Sequence, residues 1–336
     1  MMIKALAVLE AGGKLEPFEY DPGPLQDNEV EIDVLYCGVC HSDLSVMENE
    51  WGISQYPVVP GHEVVGTVKQ VGASVKKLSV GQTVGLGWHA GYCEECSLCD
   101  AGDHNMCFTP QPTIMGRHGG FAEQVRASES AVVAIPEGID LESAGPLFCG
   151  GITVFNPLVQ FDIKPTDKVA VIGIGGLGHI ALKFLNAWGC EVTAFTTSDS
   201  KRQQALDLGA DFTLNTRDDA SLAAHSNRFD LILSTVNVNL DWNLYLETLK
   251  RKGRLHLLGA LVEPLTISSS PLLGAQRSIS GSVVGSPATI KKMLDFANLH
   301  DIKPTVEIFP FNKANEAVKH LADGKARYRV VLSRNG

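Results

Sequence analysis

The run Lys168-Val169-Ala170-Val171-Ile172 reads as an apolar strand, and it passes directly into Gly173-Ile174-Gly175-Gly176-Leu177-Gly178 and then into a helical pattern reaching Trp188. No other stretch restricts the architecture as much. A Gly-x-Gly-x-x-Gly alone occurs in many loops, but between a strand and a helix each glycine has its own task. Gly173 permits the tight turn, Gly175 lets the backbone approach a pyrophosphate, and Gly178 allows the helix to pack closely on the strand. The helix start at Gly176 and Leu177 then offers free N–H groups to an anion. A βαβ unit that binds a dinucleotide is expected.

The same alternation recurs after Pro165, with strands at Val192–Thr196 and Leu231–Ser234 and helical runs at Ser200–Leu208 and Leu240–Leu249. Strand alternating with helix predicts a doubly wound parallel sheet. Before about residue 150 the texture differs. Short alternating runs such as Val30–Tyr36 and Glu63–Val68 are broken by Gly, Pro and Asn, which predicts a small antiparallel β domain. A helical run at Thr289–Leu299 leads into Val306–Phe309 and Arg329–Leu332, two strand-like segments expected to return to the first domain. With 336 residues, two domains are the prior expectation.

The cofactor's ribose site can be read from the segment after the second strand. An NAD-binding chain carries an acid there for the ribose hydroxyls. Here the strand ends in Thr196, Thr197 and Ser198, with Lys201 and Arg202 following. Hydroxyls with nearby cations suit a 2′-phosphate, so NADP(H) is expected rather than NAD(H). The plainer role, in which Thr and Ser cap the next helix, is compatible with phosphate binding because both use the same N-terminal geometry.

Metal chemistry is written in the cysteines. Cys93, Cys96, Cys99 and Cys107 follow C-x2-C-x2-C-x7-C. Four thiolates leave Zn²⁺ no open position, so that site is expected to be structural. Cys40, His62 and Cys149 are far apart in sequence, but two thiolates and one imidazole make the open set that a catalytic zinc uses. Cys37 and Cys40 form a Cys-x-x-Cys, yet they sit in a strand-like run rather than at a helix start, which argues against a redox pair. Cys37 and Cys190 are left over.

Composition narrows the function classes. Lys plus Arg is 28 against 38 for Asp plus Glu, a formal charge of −10 that repels nucleic acid and anionic lipid. No apolar run reaches bilayer-spanning length, no cleavable leader is recognisable, and cysteine usage fits metal in a reducing compartment; a cytoplasmic location is expected.

The joint pattern of Cys40-His41-Ser42-Asp43, Gly61-His62-Glu63, the four-cysteine loop, Cys149 and Gly173–Gly178 resembles the zinc-dependent medium-chain alcohol dehydrogenases over essentially the whole chain. Within them it is most similar to the cinnamyl-alcohol-dehydrogenase branch and its bacterial NADPH-dependent aldehyde reductases. Glu50–Pro57, Cys149–Phe155 and Lys325–Arg329 carry the narrower likeness.

This resemblance implies a GroES-like β-rich catalytic domain (residues 1–149 and 288–336), a Rossmann domain (150–287), and an active site in the cleft between them. It implies that Cys40, His62 and Cys149 hold the catalytic zinc, with Glu63 an acid able to approach the metal and Asp43 the partner of the ligating His62. Ser42 matches the hydroxyl that passes a proton to the substrate oxygen, and His41 and Arg327 match cofactor-phosphate contacts. Trp51 and Trp88 fall where relatives line the substrate pocket, though an aromatic filling a core is an alternative. One departure stands out. Many relatives carry a His three residues after the relay hydroxyl, and here that position is Ser45, which cannot take up a proton near neutral pH.

The expected activity is zinc- and NADPH-dependent interconversion of uncharged aldehydes and primary alcohols, with two zinc ions per chain. Its partner would be a small-molecule substrate, and the chain would pair as a homodimer through the Ser278–Val283 run. The alternatives are an oxidation-directed dehydrogenase of a cinnamyl-type alcohol, or a non-catalytic zinc and nucleotide binder on the same fold. Retention of three ligands plus Ser42 argues against the binder.

Overall fold

A computed structural model describes residues 2–197, 199–261 and 263–334. The chain forms two compact units: residues 1–152 with 284–336, and residues 153–283.

The second unit is built on six parallel strands. Their order across the sheet is Phe212–Asn215, Glu191–Thr196, Lys168–Ile172, Phe229–Ser234, Leu249–Leu257 and Ser278–Gly281. The central Lys168–Ile172 strand lies where the strand order reverses, and its residues Val169, Ala170 and Val171 have no solvent exposure. Strands covered on both faces read as continuous apolar runs, which is why this one was visible in the sequence. One aromatic-rich core of this unit gathers Phe195, Phe229, Trp242, Tyr245 and Leu246.

The first unit carries a seven-stranded sheet. Its path runs Val306–Pro310, Arg329–Ser333, Glu29–Val39, Val64–Val71, Thr83–Leu86 and Val132–Ala134, with Gln124–Ser128 also pairing to Glu29–Val39. The C-terminal strand returns as expected, with Val330 opposite Val39 and Leu332 opposite Cys37. The sheet is not wholly antiparallel, because Val306–Pro310 and Arg329–Ser333 run parallel, joined through the Ala314–Ala322 helix. Such a connection needs a crossover, and the helix supplies it. Among the described residues no helix is long and apolar enough to cross a membrane.

Candidate active site and metal centres

The longest strand of the first unit, Glu29–Val39, delivers Cys40 to the N-cap of the His41–Met47 helix. The helix begins there because Asp43 reaches back: its Oδ2 accepts from the Cys40 N–H at 2.9 Å. The other oxygen of the same carboxylate accepts from the Gly61 N–H at 2.8 Å and lies 2.9 Å from His62 Nδ1. One buried carboxylate therefore fixes the backbone before Cys40, the turn before His62 and the tautomer of the imidazole, leaving Nε2 as the free donor atom. That Nε2 lies 3.3 Å from Cys149 Sγ, and Cys149 Sγ lies 3.9 Å from Cys40 Sγ. Donor atoms of Cys40, His62, Glu63 and Cys149 all fall within 4.8 Å of one another, and all four residues are buried.

Electrostatics at this cluster suit a cation. The hydrogen bond between the two sulfurs holds the Cys40 thiol pKa well below its ordinary range and raises that of Cys149. Burial opposes charge on His62, but the Asp43 carboxylate outweighs it and raises the imidazole pKa. Burial pushes Glu63 up to about 7 even though Arg329 pulls the other way. Arg329 Nη2 donates to Glu63 Oε1, whereas Glu63 Oε2 is buried with no hydrogen-bond partner. Two sulfurs, an imidazole nitrogen and an unpartnered carboxylate oxygen in one buried pocket are the donor set that zinc selects.

The second cluster is local. Cys93, Cys96, Cys99 and Cys107 bring their sulfurs within 4.8 Å of one another, with Cys107 Sγ 3.4 Å from Cys93 Sγ. Backbone N–H groups of Phe108 and Cys99 lower the Cys96 thiol to about 6, as hydrogen bonds to a thiolate do. All four vertices are thiols, so the residues fit a closed structural zinc.

Around the buried cluster, Ser42 is half-buried and its hydroxyl oxygen accepts from Cys40 Sγ at 3.9 Å. Ser45 is buried and donates to the exposed carboxylate of Glu50 at 2.6 Å. His41 opens the same helix and is exposed. The Trp88 ring stands edge-on to His62 with centroids 5.0 Å apart, and Trp51 stands edge-on to Trp88 at 5.9 Å. Trp51 is 41% exposed, which excludes a core-filling role for it.

In the second unit, the glycine-rich turn has the expected division of labour. Gly173 adopts φ +86°, and a Cβ there would lie 2.5 Å from Val236. A Cβ on Gly178 would meet the Gly173 carbonyl oxygen at 1.9 Å, so only glycine allows that packing. At Gly175 a Cβ would meet nothing, so the chain itself does not demand glycine there and leaves open space for a ligand backbone approach. His179 packs rather than reacts, with Nδ1 and the backbone N–H both on the Gly175 carbonyl. Gly176 and Leu177 precede the Gly178–Trp188 helix directly.

Thr196 ends its strand buried, while Thr197, Lys201 and Arg202 are exposed beside it. Ser198 lies outside the described residues. The helix after this turn starts at Arg202 with Lys201 as N-cap and no side-chain cap, so the hydroxyls of Thr196 and Thr197 do not cap it. Arg327 donates to the carbonyls of Gly324, Lys325 and Ala326 in its own loop. Sequence reasoning missed Arg329 as a participant: an arginine among strand residues carries no mark of burial.

The family model for the alcohol dehydrogenase GroES-like domain matches residues 26–137, and that for the zinc-binding dehydrogenase matches 176–298. An aldehyde reductase AdhA from Synechocystis sp. is 61% identical over 99% of both chains. A cinnamyl alcohol dehydrogenase from Sorghum bicolor superposes with a TM-score of 0.96 at 36% identity, covering 100% of this chain and 98% of that one. A Helicobacter pylori enzyme of the same type, solved with NADP(H), gives 0.91 at 30% identity, covering 100% and 99%. The chain belongs to the zinc-dependent medium-chain alcohol dehydrogenases, in their cinnamyl-alcohol-dehydrogenase-like branch. It is an oxidoreductase of small molecules.

Proposed function

We propose that the chain reduces uncharged aldehydes to primary alcohols with NADPH, reversibly, using one catalytic and one structural zinc. The observation that carries this reading is the buried Cys40–His62–Cys149 set with its Asp43 brace, alongside a relay-type hydroxyl at Ser42. The likeness to an aldehyde reductase supports the direction, and the likeness to an enzyme solved with NADP(H) supports the cofactor. Residues 1–149 and 288–336 would form the catalytic domain and 150–287 the cofactor domain.

In this reading Cys40, His62 and Cys149 hold the catalytic metal, Glu63 stands as the exchangeable fourth donor, and Cys93, Cys96, Cys99 and Cys107 hold the structural one. When bound, zinc supplies a Lewis acid for the carbonyl oxygen and NADPH supplies the hydride. The chain does the rest. Asp43 keeps the proton of His62 on Nδ1, so Nε2 remains a donor throughout turnover. Ser42 gives its hydroxyl proton to the product oxygen and is reprotonated from outside. Trp88 and Trp51 wall the substrate slot, excluding water and favouring slender or flat aldehydes. Gly173–Gly178 with the helix start at Gly178 seat the pyrophosphate. Thr196, Thr197, Lys201 and Arg202 receive the 2′-phosphate, and His41 and Arg327 contact cofactor phosphates.

We further infer a homodimer joined through the Ser278–Gly281 strand, the edge of the six-stranded sheet, and a cytoplasmic location. Steady-state kinetics over an aldehyde series varied in length and branching, with NADPH and NADH, test the whole reading. Broad activity on neutral aldehydes, shallow because one methylene is worth only about 1–3 kcal/mol, is expected. Trp51→Ala is expected to extend the range to bulkier aldehydes at some cost to small ones. A strong preference for ketones or charged substrates would overturn the reading.

A further inference from the structure

The NADP(H) reading above leads to a further residue. In the parallel sheet, Glu191–Thr196 and Phe212–Asn215 are neighbours, and Thr196 pairs with Asn215, so both strands end at the same edge. Ligands of open parallel sheets bind outside those carboxyl ends. The turn after Asn215 is tied to its neighbour: the Thr216 N–H donates to the Thr196 carbonyl at 2.8 Å and its hydroxyl donates to the same oxygen at 3.2 Å. The Arg217 N–H is in turn taken by Asn215 Oδ1 at 3.1 Å. Backbone and hydroxyl contacts thus hold Arg217 next to the end of the Thr196 strand, with its side chain exposed.

The second unit contains six arginines, and four of them are engaged. Arg228 pairs with Glu191 at 2.8 Å, Arg277 pairs with Glu247 at 3.3 Å, Arg254 stacks on Phe161 at 3.9 Å, and Arg251 donates to the Gly274 carbonyl at 3.5 Å. Arg202 and Arg217 make no side-chain hydrogen bond, ion pair or ring contact among the described residues. These two follow the ends of adjacent strands, Arg202 after Thr196 and Arg217 after Asn215. Acids lie close by, yet Arg217 pairs with neither. Asp218 is spent on its own helix, accepting from the Ala220 N–H at 3.1 Å and the Ser221 hydroxyl at 2.7 Å, and Asp219 follows it as an exposed residue.

We propose that Arg217 is a second cationic arm for the adenosine 2′-phosphate, closing from the neighbouring strand while Lys201 and Arg202 close from the strand that ends at Thr196. A guanidinium offers paired N–H donors to phosphate oxygens, which a lysine ammonium does not, so Arg217 adds selectivity as well as charge.

Calorimetric titration of the full zinc-loaded chain with 2′,5′-ADP and with 5′-AMP tests this without turnover. Wild type is expected to bind 2′,5′-ADP more tightly. Arg217→Ala, a change at an exposed position, is expected to weaken 2′,5′-ADP about tenfold while leaving 5′-AMP unchanged, and Arg217→Lys is expected to fall between. In kinetics the KM for NADPH rises by a similar factor and kcat at saturation holds. If Arg217→Ala binds 2′,5′-ADP as wild type does while Lys201→Ala loses it, the assignment of Arg217 is wrong and the NADP(H) reading stands. If wild type binds both nucleotides equally, the NADP(H) reading fails and this assignment falls with it.

Discussion

Arg329 and Glu63 form an ion pair at side-chain exposures of 4% and 0%, with Nη2 of the arginine on Oε1 of the acid. The same guanidinium extends Nη1 to within 4.0 Å of Cys40 Sγ. A cation so deeply buried is tolerable only because thiolate and carboxylate surround it. It leaves Glu63 Oε2 buried without a hydrogen-bond partner.

Removing the cation strands that carboxylate. Arg329→Met is expected to destabilise the protein by about 3–5 kcal/mol, the usual cost of breaking a buried pair from one side. Urea denaturation checks this. A variant as stable as wild type would show that the pair contributes nothing.

Elemental analysis of active protein is expected to give two zinc ions per chain. Cys149→Ser removes one ligand of the buried set and is expected to abolish turnover while the fold survives. Cys99 is buried within its loop, so Cys99→Ser is expected to lower thermal stability first. A single zinc in fully active protein would show that one of the two assignments is wrong.

NADPH is expected to exceed NADH by at least about tenfold in kcat/KM, roughly 1.4 kcal/mol. Thr196 is buried at its strand end and Lys201 exposed beyond it. Thr196→Asp combined with Lys201→Ala therefore reverses the local charge and is expected to erase the margin. Wild-type preference for NADH would refute the hydroxyl-and-cation reading.

Ser42→Ala is expected to reduce the rate by about two to four orders of magnitude with zinc content unchanged, the usual worth of a positioned proton transfer. Ser45→Ala, which loses the 2.6 Å bond to Glu50, is expected to do much less. A large loss at Ser45 and a small one at Ser42 would invert the assignment.

A pH effect on stability is expected from His256. It is fully buried, with Nδ1 2.8 Å from the Ser280 hydroxyl and Nε2 2.9 Å from that of Ser282. Burial, aided by Arg254, lowers its pKa from 6.5 to about 4. Between those values the unfolded chain binds the proton and the folded one does not, so stability falls as pH drops from 6.5 towards 4. His256→Gln is expected to flatten that part of the urea-midpoint profile; an unchanged slope would count against it.

Much of this was legible because the chemistry imposes local spacing. Four cysteines within one loop, and glycines between a strand and a helix, signal themselves whatever surrounds them. The Gly150–Gln160 helix did not, since it carries Gly150, Gly151 and Pro157, which disfavour helix in isolation. It forms under burial, with Ile152, Val154 and Leu158 fully covered. Arg329 was invisible as a site residue for a related reason: 289 positions separate it from Cys40, and only the pairing of the last strand against Glu29–Val39 brings them together. The bond from Ser45 to Glu50 depends on a side-chain rotamer that spacing does not reveal.

That last pairing has a consequence for biosynthesis. During translation, Cys40 and His62 leave the ribosome long before Arg329 exists, and the parallel-sheet unit between them is complete while the first sheet still lacks its last two strands, Val306–Pro310 and Arg329–Ser333. Domains fold as units while the chain emerges. A nascent chain can therefore finish its nucleotide fold early, yet it must carry an unfinished metal pocket, its Glu63 without a counter-cation, until the final strand is released.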